Sequence, residues 1–221
     1  MVLRFNMKVI PYGRQQITDE DIAAVVEVLK SNMLTQGPQL EIFEQAFSAF
    51  HGGCYSVAVA NGTCGLHLAA LALGVCANDR VLVAANTFAA SANCIRYCGG
   101  EVEFVDIDPD TLCLNFDHLE KKLDGQQKNY YKGIVAVDFA GYPLDMRRLR
   151  EICARHGLWI IEDACHAVGA RRTDGAKNYM AGDGQFADVA VFSFHPVKHI
   201  ATGEGGMVTT RNPEINEKLR T

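Results

Sequence analysis

The chain has 221 residues, is 48% hydrophobic and 21% charged, and carries a formal net charge of −5. That length and mixture fit a globular protein with one large α/β domain, or one domain and part of a second. The two signs of charge are interspersed, so no basic cluster marks a nucleic-acid or membrane-surface partner; no apolar run approaches the ~20 residues of a membrane span, and the opening MVLRFNMKVI lacks a signal peptide's long apolar stretch.

Thr18-Asp-Glu-Asp21 precedes an apolar row, Ile22, Val25, Val26 and Leu29, which predicts a capped helix to about Ser31. A turn follows, and Pro38 opens a second helix to about Phe50, with apolar face Leu40, Phe43, Ala46, Phe47 and Phe50. From there strands and helices alternate. Ser56–Ala60 reads as a strand, Asn61-Gly-Thr-Cys-Gly65 as a turn, and Leu66–Leu73 as a helix. Val81–Ala85, Val102–Asp106, Ile134–Phe139 and Leu158–Ile161 read as strands, with helices at Phe88–Tyr97, Phe116–Leu123 and Met146–His156. Near-continuous apolar strands between helices predict a mostly parallel sheet covered on both faces. Arg171–Gln185 is polar and reads as an excursion or hairpin; Phe186–Phe194 and Gly206–Thr210 read as strands. Pro213 opens a last short helix to Arg220, which is marginal alone and has no stop signal before Thr221, so the chain reads as continuing further.

None of the eight cysteines forms a C-x-x-C pair, and neither a second cysteine pair nor a histidine pair completes a zinc site around Cys94 and Cys98. Most sit in apolar surroundings and read as small core residues of a reducing compartment, which makes the protein cytoplasmic.

Three loops after strands carry chemistry. Asn61-Gly-Thr-Cys-Gly65 opens a helix, where free backbone N–H groups suit a phosphate or simply cap the helix. Asp163 follows the apolar strand LWII, and such an acid is a structural cap, a metal ligand or the partner of a buried cation. Lys198 lies beyond the strand FADVAVFSF, five positions after Ser193 and before the glycines 203, 205 and 206; it reads as a solvated lysine or as a Schiff-base nucleophile. Phe88 could stack on a flat cofactor or pack in the core. A phosphate turn, a strand-end Asp and a loop Lys are together the parts of a pyridoxal-phosphate site, in which the carboxylate would face the protonated ring nitrogen.

Across PYGRQ, LTQG, ANGTCGLHLA, TFAASAN, GGEVEFVDID, VDFAGYP, EDACHAVGA and FSFHPVKHIATGEGG the chain resembles the sugar aminotransferases of the DegT/DnrJ/EryC/StrS group. These are fold-type I pyridoxal-phosphate enzymes, with a three-layer large domain around a mostly parallel sheet. VDFAG, the D-A-x-H-A block and FSFHPVK are most like the branch that aminates C4 of a UDP-linked 4-keto-6-deoxy sugar toward pseudaminic acid. The resemblance implies that Lys198 forms the internal aldimine and later shuttles the proton, while Asp163 binds the pyridine nitrogen. It places His166 near the phenolic oxygen, with Gly62, Thr63, Cys64 and Ser193 on the phosphate side and Phe88 on the ring. Gly62 also matches the sugar-nucleotide pocket, as do Tyr12, Leu34 and Thr35. The implied partners are a nucleotide sugar, glutamate as donor, and a second copy of the full-length chain. A related dehydratase subgroup, working with pyridoxamine phosphate, has His where Lys198 stands, so Lys198 favours transamination. The resemblance divides the chain into an N-terminal arm and helix, residues 1–36, and a cofactor-binding large domain, residues 37–221. It implies that a smaller C-terminal domain is missing and that this chain alone could be catalytically incomplete.

Overall fold

The computed structural model of the chain describes Pro11, residues 13–175 and residues 177–221. Helix α1, Asp19–Lys30, begins at a capping box in which Thr18 and Asp21 satisfy each other's backbone N–H groups. Its apolar residues Ile22, Val25 and Leu29 remain exposed. Helix α2, Pro38–Phe50, has proline in its first turn and lays Phe47 against the sheet.

Strands β1 (Tyr55–Val59), β2 (Arg80–Ala84), β3 (Glu101–Val105), β4 (Gly133–Val137), β5 (Trp159–Asp163), β8 (Val189–Ser193) and β9 (Gly206–Thr210) form one sheet in the order β1-β9-β8-β5-β4-β2-β3. Only β9 runs antiparallel to its neighbours. Between them lie α3 (Gly62–Ala72), α4 (Ala90–Tyr97), α5 (Phe116–Asp124), a 3-10 turn at Phe139–Gly141, α6 (Met146–His156) and the hairpin β6 (Arg171–Asp174) and β7 (Lys177–Met180); α7 (Pro213–Arg220) ends the chain.

Strand alternation divides the core. Leu82, Ile134 and Ile160 pack with Leu119, Leu149 and Ile152 of α5 and α6, while Phe192 and Phe47 extend the same side under α2. Val83, Val135, Ile161 and Val191 face the other way, onto Leu66 and Ala69 of α3 and Ile95 of α4. Each such fully buried Leu or Ile contributes about 1.5–3 kcal/mol, so both faces resist unzipping. This is the mostly parallel, doubly covered sheet that the alternating pattern predicts.

Boundaries differ where side chains intervene. The stretch read as a turn, Gly62–Gly65, is already helix, because Asn61 at the N-cap accepts the Cys64 N–H on its side chain and the Gly65 N–H on its carbonyl. α4 starts at Ala90, leaving Thr87 and Phe88 in the approach to it. β5 runs two residues further than its apolar stretch and so carries Glu162 and Asp163 in the strand. The last helix is not loose: Ile215 and Leu219 are buried on the α3 side, and Arg220 pairs with Glu44. Among the cysteines, Cys54, Cys94, Cys113 and Cys153 are core residues, but Cys64 and Cys76 are exposed.

Candidate active site

The carboxyl ends of β1, β2, β4, β5 and β8 open into one cleft of about 530 Å³, within the range of small-molecule sites. Its lining includes Gly62, Thr63, Phe88, Asp163, His166, Ser193 and Lys198, seven of the residues that the sequence singles out. Cys64 is exposed and does not line it. Leu34 and Thr35 sit exposed in the turn after α1, away from the lining. Tyr12 lies outside the described residues.

The N-terminus of α3 forms one wall. The N–H groups of Gly62 and Thr63 precede the first intrahelical bond and point out of the helix, a ready donor set for an anion. Glycine allows a close approach there: a Cβ on Gly62 would stand 3.0 Å from Ser193 Cβ and 3.1 Å from Cys165 Sγ. Gly206 of β9 has the same role beneath the turn, where a Cβ would come within 2.8 Å of the Asn61 carbonyl carbon. These close approaches bring the helix end and the Ser193 hydroxyl side by side.

Asp163 is buried at the floor. Its Oδ2 accepts from Ser91 Oγ at 2.5 Å and its Oδ1 from the Cys165 N–H at 3.2 Å. Behind it, burial and the Asp163 charge push the Cys94 thiol up to about 12, and the same two causes raise Cys165, so both sulfurs stay protonated.

His166 stands on the loop after β5. The turn Phe139–Gly141 wraps over it, with Ala140 in a left-handed conformation at φ 53°. That turn aims the Ala140 N–H at His166 Nδ1, 3.3 Å away. Nδ1 is therefore an acceptor, and the ring proton of the neutral imidazole sits on Nε2. Burial, then the positive charge of Lys198, lowers the pKa of His166 and keeps the ring neutral.

Lys198 lies half-buried on the loop between β8 and β9, its N–H held by the His195 carbonyl at 2.8 Å. Phe88 is 73% exposed at the rim.

This donor set suits pyridoxal phosphate: backbone N–H groups and a hydroxyl for the phosphate, an anchored carboxylate for the ring nitrogen, and an amine in the same hollow. Sequence reasoning missed Asn61, Thr87, Ser91 and the Ala140 N–H. The four-residue spacing of Thr87 and Ser91 and the Asn61–Cys64 offset were the available signals; the Ala140 contact had none. Among the described residues no group of His, Cys, Asp and Glu could hold a metal ion, and no helix is long and apolar enough to cross a membrane.

Residues 15–221 match the DegT/DnrJ/EryC1/StrS aminotransferase family. Among solved structures, Helicobacter pylori PseC, an aminotransferase involved in the biosynthesis of pseudoaminic acid, superposes with a TM-score of 0.83 at 29% identity, over 96% of this chain and 55% of that one. S. venezuelae DesV, in complex with a ketimine intermediate, gives 0.82 at 36% identity, over 91% and 52%. NtdA from Bacillus subtilis with bound cofactor PMP gives 0.77 at 32% identity, over 92% and 45%. The chain thus spans about half the length of the solved relatives it matches.

Proposed function

The chain belongs to the DegT/DnrJ/EryC1/StrS aminotransferase family, whose members depend on pyridoxal 5′-phosphate, and from that premise we propose that Lys198 carries this cofactor and that the protein moves an amino group from glutamate to C4 of a UDP-linked 4-keto-6-deoxy sugar. The observation that carries the reading is the convergence of Lys198, Asp163, Ser193 and the N-terminus of α3 on one cleft. The likeness to PseC, an aminotransferase involved in the biosynthesis of pseudoaminic acid, supports a sugar substrate.

When bound, pyridoxal phosphate supplies an electron sink next to the amino-bearing carbon. The chain's own residues do the rest. The Gly62 and Thr63 N–H groups and the Ser193 hydroxyl would hold the cofactor's phosphate, Asp163 would hold a proton on its ring nitrogen, and the Nε2–H of His166 would donate to its phenolic oxygen. The Lys198 Nζ would take a proton from the donor's amino-bearing carbon in the first half-reaction and deliver one to the acceptor's carbonyl carbon in the second, the general acid–base step of each. Phe88 covers the outer side of the cleft. A second copy of the chain in a homodimer is part of the proposal; the exposed ring of Phe88 at the rim supports it.

The test is a visible absorbance band on adding pyridoxal phosphate, fixed by borohydride as a mass increase on the peptide containing Lys198. Loss of the band in Lys198→Ala is expected, and an unchanged spectrum in that variant overturns the reading. Amino transfer from glutamate, followed by product mass with UDP-linked and other nucleotide-linked keto sugars, decides the substrate.

A further inference from the structure

Ser91 is fully buried on the first turn of α4, and its hydroxyl does not fold back on its own helix. It reaches 72 positions along the sequence to Asp163 Oδ2, while its Oγ receives the Thr87 hydroxyl at 2.7 Å. Because the carboxylate can only accept, the Ser91 proton must point at Asp163, and Ser91 in turn accepts from Thr87, whose single proton favours it at 2.7 Å over the Phe88 carbonyl at 3.2 Å. The bonds therefore run one way, Thr87 to Ser91 to Asp163, and each polarises the next. On the other oxygen, the Cys165 N–H completes a two-point grip. A carboxylate held at both oxygens has lost its rotation about the Cβ–Cγ bond, so its remaining lone pair keeps one direction into the cleft.

We propose that Ser91, polarised by Thr87, is a positioning residue that fixes the Asp163 carboxylate in the plane needed to hold a proton on the cofactor's ring nitrogen. This rests on the reading that the cleft takes pyridoxal phosphate against Asp163. Ser91 does not itself line the cleft, so it acts through the Asp163 carboxylate that it bonds.

The readout is the pH titration of the visible band of the lysine-bound cofactor. A positive ring nitrogen repels a second proton on the Lys198 nitrogen, so loosening Asp163 raises the band's midpoint. Ser91→Ala is expected to raise it by roughly half a pH unit or more and to weaken pyridoxal phosphate binding about tenfold, the scale of one hydrogen bond to a charged group. Asp163→Asn raises the midpoint further. Thr87→Val, which leaves Ser91 in place, moves it the same way by less and carries the test should S91A not fold. A wild-type midpoint in S91A, or in T87V where S91A is unfolded, while D163N shifts it, would overturn the proposal. So would an S91A chain that melts earlier with an unmoved midpoint, which reduces Ser91 to packing. A wild-type chain with no band at all removes the cofactor reading itself, and this inference with it.

Discussion

Glu162 and Asp163 are consecutive on β5 and serve opposite faces of the sheet. Asp163 meets the cleft, and Glu162 meets Asp138 behind it, beyond the end of β4. Asp138 accepts the Leu144 N–H on Oδ1, and Glu162 accepts the Gly182 N–H on Oε1. The buried Asp138 Oδ2 receives no N–H or hydroxyl donor from the described residues. Burial and the facing Asp138 carboxyl hold Glu162 well above the usual carboxylate range. Two buried carboxyl groups, one just beyond β4 and one on β5, thus face each other behind Asp163.

This pair gives the fold a pH dependence of known sign. Burial, with the Asp163 charge adding to it, pushes Asp138 from the ordinary 3.8 up to about 7. Between those values the folded chain holds a proton that the unfolded chain has released, so stability falls as pH rises through that window. The double variant Asp138→Asn/Glu162→Gln, in which neither carboxyl titrates, should flatten the effect. Melting temperatures from pH 4 to 8 decide it: the wild-type value should drop relative to the double variant as pH climbs, and a constant gap between the two contradicts the pairing.

His51 works in the opposite sense. It is fully buried, stacked on Phe47 with centroids 4.1 Å apart and beside Phe192 at 4.9 Å. Its Nδ1–H donates to the Phe47 carbonyl, while Nε2 has no hydrogen-bond partner among the described residues. Burial, the largest cause, lowers its pKa from 6.5, with Asp183 opposing and Arg171 reinforcing the shift. A depressed histidine stabilises the fold above its unfolded pKa, and that contribution drains away as pH falls through the folded value. His51→Phe keeps an aromatic ring without the charge. Denaturation midpoints at pH 7.5 and 5 should therefore fall more in wild type than in H51F; equal losses would place the acid sensitivity elsewhere.

The sheet was legible because strands such as IVAVDF and VAVF are apolar on both faces, a pattern that only a covered parallel sheet explains. Lys198, Asp163, Ser193 and the α3 turn were legible because each ends a strand, where open α/β sheets place their chemistry. Ser91 was legible only as a partner of Thr87 four positions earlier; its link to a carboxylate 72 positions away left no mark in the sequence. Nor did the Ala140 contact, which depends on a left-handed alanine that carries no residue-type signature. Leu34 and Thr35 differ in kind: motif likeness alone singled them out, and they are exposed residues that do not belong to the lining of this cleft.

His166 supplies a prediction tied to its tautomer. The Ala140 N–H occupies Nδ1, so protonating that nitrogen breaks the bond and adds charge beside Lys198. Because the pKa is lowered from 6.5, the loss of pyridoxal phosphate affinity should set in only below that pH. His166→Gln offers an amide that does not titrate, so its affinity should stay level where the wild-type affinity falls. Fluorescence titrations with the cofactor at pH 5 to 8 make the comparison, and an identical acid limb in H166Q would assign the fall to another group.

Gly62 tests whether the phosphate cradle is set by packing. Alanine favours a helix over glycine by up to about 1 kcal/mol, whereas the new methyl meets Ser193 Cβ at 3.0 Å and Cys165 Sγ at 3.1 Å. Overpacking of that kind costs about 1–3 kcal/mol, so the two effects partly cancel and melting of the free chain should move little. The relief available is to push the first turn of α3 away from Ser193, which separates the donors that a phosphate must bridge. Gly62→Ala is therefore expected to weaken pyridoxal phosphate binding about tenfold or more, the scale of one charge-assisted hydrogen bond, while leaving the fold intact. A variant that binds the cofactor as tightly as wild type would mean that the phosphate is held elsewhere than at this helix end.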